Sequence, residues 1–165
     1  MLWCCGITKE ESLALIREAE GNELTHWASC IPAELCPLEY LSSLSAAENN
    51  FCLRVILLVW IASNFTQIPK AAQLTASLAF LYKKDSLLQA GTGFGKTLLI
   101  VIALLLENPE DNSIVITISP LKRLQQTQSK AFEQRYGIQT MVINKDTMAA
   151  MTHSDWNASS TAWLL

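Results

Sequence analysis

The sequence predicts an α/β fold, a parallel sheet flanked by helices, with a helical region ahead of it. Three observations predict this. From about Gln67 onward, short apolar stretches alternate with helix-patterned ones, the order that right-handed crossovers and a parallel sheet require. Within that alternation a glycine-rich stretch, Ala90-Gly91-Thr92-Gly93-Phe94-Gly95-Lys96-Thr97, stands between a short apolar strand and an apolar helix. Residues 1–66, by contrast, carry helix-start and helix-stop signals.

Taken in order, Thr8-Lys9-Glu10-Glu11 is a capping box that opens a helix, and Gly21 ends it. Pro32 and Pro37 break the chain before a second helical stretch from about Glu39 through Ala62. The end of that stretch, Val55–Ala62, is the most apolar run; bounded by Arg54 and Ser63-Asn64, it is too short to cross a bilayer and reads as a buried helix. Trp27 and Trp60 read as packing residues. A helix over Lys70–Tyr82 precedes a buried strand at Ser86–Ala90, the glycine loop, and a helix from Lys96 to Glu107 that Asn108-Pro109 stops. Ser113–Ile118 reads as a strand buried on both faces under helices. Ser119-Pro120 supplies an N-cap and a first-turn proline for a helix to about Tyr136, which Gly137 ends. Gln139–Ile143 reads as another strand, and Asp146–Leu165 has no clear period.

Composition bounds the function. With 165 residues, half of them apolar and 16% charged, the chain has room for one folded domain with a proper core. A net charge of −3 provides no global positive field, so a nucleic-acid surface has to be local. The five cysteines, Cys4, Cys5, Cys30, Cys36 and Cys52, have no C-x-x-C spacing and no nearby histidine pair, which favours free thiols in a reducing compartment over zinc. Met1-Leu2-Trp3-Cys4-Cys5 lacks the basic start and long apolar core of a secretion signal. The expectation is an intracellular protein with no membrane partner, for which the sequon Asn64-Phe65-Thr66 carries no meaning.

The glycine loop carries the chemistry. It follows the pattern G-x-x-x-x-G-K-S/T with Ala90 in the first position. Glycines let successive backbone N–H groups point into one concavity that holds phosphate oxygens. Lys96 reaches the β- and γ-phosphates, Thr97 offers its hydroxyl to Mg²⁺, and the following helix turns its positive end to the anion. Upstream, Gln73 follows Pro69 and Lys70; a glutamine amide offers a donor and an acceptor that match the N6/N7 edge of adenine. Downstream, Ser119-Pro120-Leu121-Lys122-Arg123 follows a strand, where a hydroxyl, backbone N–H groups and a helix start can hold a nucleic-acid phosphate. Lys122, Arg123, Lys130 and Arg135 share that helix, either facing a phosphate backbone or forming a solvated face. Phe94 shields the loop glycines in the simplest reading, and His26 and His153 are isolated.

These residues resemble the DEAD/DEAH-box, superfamily-2 helicases, and most closely the RecQ-like DNA helicases. Gln73 resembles their Q motif, Ala90–Thr97 their motif I, and Ser119-Pro-Leu-x-x-Leu-x-x-x-Gln128 their motif Ia. The resemblance covers about residues 67–145. It implies that residues 67–165 are a partial, incomplete first RecA-like lobe that binds ATP with Mg²⁺ and grips single-stranded DNA, in the nucleus. It also exposes departures. The family's Asp-Glu pair, which holds Mg²⁺ through water, has no counterpart, and Asp146 reads as a solvated loop aspartate. The Ser-Ala-Thr coupling motif and the second lobe with its arginine finger are missing as well, so the chain reads as the opening portion of a helicase and its catalytic residues as none. Two alternatives stay open: a non-enzymatic remnant acting through partners, and a small non-motor nucleotide kinase. Only Arg123 and Arg135 follow the loop, against the arginine-rich lid such a kinase needs.

Overall fold

The computed structural model describes residues 6–111, 115–118, 121–148 and 162–164, which are mostly helical. They fall into two compact units, Met1–Leu106 and Glu107–Leu165. The motif-bearing region that starts at about Gln67 in the sequence therefore begins inside the first unit.

The first unit is built around one helix. Its elements are α1 (Lys9–Glu18), α2 (Gly21–Ala28), a 3₁₀ turn at Ala33–Leu35, α3 (Leu38–Ser42), α4 (Ala46–Ala62), α5 (Ala71–Leu81) and α6 (Leu98–Leu106). Helix α4 packs against all the other helices of the unit. Its apolar residues run all the way round, and Phe51 to Leu53, Val55 to Val59, Ile61 and Ala62 are buried, as a helix surrounded by others requires. The expected buried helix at Val55–Ala62 is the second half of α4. Trp60, half-buried, meets Phe65 edge-on with ring centroids 5.8 Å apart.

Caps define the helix ends. The predicted box is present at α1: the Thr8 hydroxyl accepts from the Glu11 N–H, and the Glu11 carboxylate accepts from the Thr8 N–H at 2.7 Å. The Thr8 N–H and the Thr8 hydroxyl, which donates at 2.9 Å, favour the charged carboxylate and hold its pKa below the ordinary value. A second box, Ser45 with Glu48, starts α4 and splits the single stretch expected over Glu39–Ala62 into α3 and α4. Gly21 was expected to end α1, but α1 stops at Glu18 with Ala19 as its C-cap, and Gly21 opens α2. A Cβ there would come within 2.7 Å of the Asn50 amide nitrogen, so any larger residue makes the Asn50 side chain of α4 move aside.

Three helices end on cations that other helices supply. Arg54 of α4 donates to Ile16 O and Ala19 O at the end of α1, at 3.3 and 2.8 Å. Lys9 of α1 donates to Ala62 O, and Arg17 to Leu105 O at 2.8 Å. Each pairs a terminal carbonyl with the charge that the negative helix end attracts. Burial lowers the pKa of both Lys9 and Arg17, opposed in each case by a neighbouring glutamate.

The second unit holds β1 (Ile116–Thr117), α7 (Lys122–Tyr136), β2 (Thr140–Val142), α8 (Lys145–Met148) and β3 (Ala162–Leu164). The strands pair in the order β1-β3-β2, parallel in both cases, with Ile116 opposite Trp163 and Met141 also opposite Trp163. These are strands of two or three residues, a much smaller ladder than the helix-flanked sheet expected. Ile116 and Ile118 are 62% and 81% exposed, so the strand expected to be buried on both faces is not. The reason is position: β1 lies at an edge, and α7 packs chiefly on β2. Gly137 ends α7 as predicted, with φ +71 and its N–H bonded to Glu133 O. No helix among the described residues is long and apolar enough to cross a membrane.

Candidate nucleotide-binding loop

The loop lies in the first unit, between α5 and α6. Gly93 and Gly95 have φ of +81 and +87, a left-handed backbone that side chains disfavour, so both positions call for glycine. The Phe94 N–H bonds to Gly91 O at 3.4 Å and closes the turn. Helix α6 then starts tightly, with Leu98 N–H to Gly95 O at 3.0 Å, Leu99 N–H to Lys96 O at 3.2 Å and Ile100 N–H to Thr97 O at 3.2 Å. Lys96 and Thr97 therefore occupy the turn immediately before α6, at its positive end.

Lys96 is exposed and folds back: its Nζ donates to Ala90 O at 2.7 Å and to Gly91 O at 3.0 Å. Neutral carbonyls hold the ammonium over the loop, and phosphate oxygens are stronger, charge-assisted partners for it. The glycine backbone, the ammonium and the helix start fit a phosphate chain. For Mg²⁺ the fit is Thr97 alone, half-buried beside them, because the described residues hold no group of three His, Cys, Asp or Glu side chains suited to a metal. The rest of the coordination would come from phosphate oxygens and water.

Gln73 is drawn into the loop. It is 1% exposed; its Nε2 donates to Gly95 O at 2.8 Å and more weakly to Phe94 O at 3.5 Å, while its Oε1 accepts from the Lys70 N–H at 2.8 Å. Gly95 O thus takes two donors, Gln73 and Leu98, which ties α5, the loop and the first turn of α6 to one atom. A Cβ at Gly95 would stand 3.1 Å from Nε2, so a side chain there would push this amide by a few tenths of an ångström. Lys70 Nζ lies 4.8 Å from the centroid of the Phe94 ring, a contact that sequence reasoning missed. Local sequence carries no signal for it, because Lys70 and Phe94 meet only once α5 and the loop have packed.

The strand expected at Ser86–Ala90 is not formed. Residues 84–90 are irregular, and Leu87 is 95% exposed. A strand exists only where a neighbour takes its N–H and C=O groups, and among the described residues the ladder joins β1, β3 and β2.

The other predicted residues belong to the second unit. Ser119 and Pro120 lie outside the described residues. Leu121 takes the N-cap position of α7 with an extended backbone and is 63% exposed; Lys122 begins the helix, and Arg123 is exposed on its first turn. Further along, Gln125 is buried and accepts from Asn144 Nδ2 at 3.2 Å, while Asn144 Oδ1 accepts the Asp146 N–H at 3.0 Å and starts α8. Asp146 itself is exposed on that short helix.

A family model described as DEAD/DEAH box helicase matches residues 70–160, from the N-cap of α5 through the glycine loop and α7. Neither the curated proteins nor the solved structures contain a match.

Proposed function

The chain belongs to the DEAD/DEAH box helicase family, and from that membership we propose that residues 67–165 are a partial RecA-like lobe of the RecQ-like type. In this reading it binds ATP with Mg²⁺ and holds single-stranded DNA, and these residues do not hydrolyse ATP by themselves. The observation that carries the reading is the loop of Gly93 and Gly95 in left-handed conformation, leading directly into α6 with the Lys96 ammonium on its rim. Lys96 leaves Ala90 O and Gly91 O for the phosphates, Thr97 turns its hydroxyl to Mg²⁺, and the loop N–H groups take phosphate oxygens. Bound Mg²⁺ neutralises phosphate charge. To read adenine, the buried Gln73 amide gives up its weaker bond, to Phe94 O at 3.5 Å, and offers that hydrogen and the second lone pair of Oε1 to the base. Ser119 to Arg123 meet the DNA backbone, in an intracellular, nuclear setting. Binding without turnover is expected because no Asp is followed directly by Glu in the 165 residues; the adjacent pair Glu110-Asp111 has the reverse order and precedes the second expected strand.

Calorimetry with Mg·ATP tests this. The unmodified chain binds ATP, and Lys96→Ala abolishes the binding. Undiminished affinity in Lys96→Ala would remove the loop from the account.

A further inference from the structure

Phe94 lies between two residues with left-handed backbones, Gly93 and Gly95, so local sterics do little to fix where its ring points. It is held from outside the loop. Lys70 Nζ stands 4.8 Å from the ring centroid, and the buried Gln73 amide donates to the carbonyls of Phe94 and Gly95. Lys70 is the N-cap of α5 and Gln73 its third residue, and the Lys70 N–H donates to Gln73 Oε1 at 2.8 Å, so the two arms are joined at their base. Lys96 takes no part, being bonded to Ala90 O and Gly91 O.

The geometry points to a strap: the Lys70–Phe94 contact, with the Gln73 amide, positions the phosphate loop from the start of α5, and Phe94 is a positioning residue for the phosphate chain itself. The role rests on the nucleotide-binding reading above. Glycine loses more conformational freedom on ordering than any other residue, and a loop with glycines on both sides of Phe94 bears that loss when it closes on an anion. A contact that restrains the loop beforehand lowers the cost of binding. The Lys70–Phe94 arm involves no base-reading residue, so its loss acts on the phosphates of any nucleotide.

The test uses Phe94→Leu, which keeps an apolar side chain of similar bulk without a π face. Binding of Mg·ATP and of inorganic tripolyphosphate, which has no base, is measured by calorimetry on the full chain. Both weaken by the same about two- to fivefold, the span of an exposed cation–π contact. Phe94→Tyr retains wild-type affinity, Lys70→Met reproduces the loss, and the double variant is no weaker than either single one. By NMR, the Lys70 ε-methylene protons are shifted upfield by the ring in the free protein and in Phe94→Tyr, but not in Phe94→Leu, a readout that needs no nucleotide. Weakened ATP with unchanged tripolyphosphate, or additive losses in the double variant, overturns the strap. ATP binding that depends on Lys96 but ignores Phe94→Leu overturns the strap alone. A wild-type chain that binds neither ligand overturns the nucleotide reading and the strap's role with it.

Discussion

Replacing Gln73 by methionine separates the structural work of this side chain from any reading of the base. Methionine keeps the length and much of the volume, so the 1% exposed site is not emptied, but it can make neither of the 2.8 Å bonds, Nε2–H to Gly95 O and Lys70 N–H to Oε1. A hydrogen bond of this kind contributes about 1 kcal/mol net. Gly95 is exposed, so water replaces part of its lost partner, and the sum is about 1–2 kcal/mol rather than more. That corresponds to about a 5- to 30-fold rise in the local opening constant. The place to read it is the first turn of α6, because Gly95 O also accepts from Leu98 N–H at 3.0 Å. Amide hydrogen exchange in Gln73→Met accelerates by that factor at Leu98, Leu99 and Ile100, while Leu57 in the middle of α4 is unchanged. Unaltered exchange at Leu98 would show that the bond does not hold the loop. Equal acceleration at Leu57 would mean that the whole unit was weakened and the link is not local.

Three further outcomes are expected. ATP binds more tightly than GTP, and Gln73→Ala flattens the preference along with weakening both; equal affinities in the unmodified chain count against adenine reading by Gln73. Single-stranded DNA stimulates little or no ATP hydrolysis by this chain in a steady-state assay, because carboxylates that position Mg²⁺ and water contribute much of the acceleration in phosphoryl transfer; robust turnover that vanishes in Lys96→Ala would redirect attention to Asp146. Burial, with a smaller contribution from the Glu48 carboxylate, pushes the Cys52 thiol from 9.0 up to about 11. The unfolded chain ionises this thiol first, so the stability it contributes is complete below about pH 9 and lost as pH rises through about 11. Urea midpoints therefore decline less steeply over that range in Cys52→Ala than in the unmodified chain, and parallel slopes would refute the assignment.

Interactions that close within a few residues were legible in the sequence. The Thr8–Glu11 box spans a single turn, and the end of α7 at Gly137 depends on a left-handed residue that glycine supplies locally. The glycine pattern likewise located the candidate loop, since left-handed conformation at Gly93 and Gly95 is a property of those residues. The Ser45–Glu48 box that divides α3 from α4 was equally local, but the apolar run beyond it masked the break. What the tertiary structure alone decided depends on partners far along the chain. Ser86–Ala90 has the composition of a strand, yet strand is a property of a pair, and the ladder runs instead through Ala162–Leu164, a stretch with no period of its own. Arg17 ends α6 at Leu105 O, and Gln73 reaches Gly95 O; neither bond has a signal in local sequence, because each donor meets its acceptor only after the helices have packed. Composition determines what a residue can offer, and packing decides which distant group accepts it.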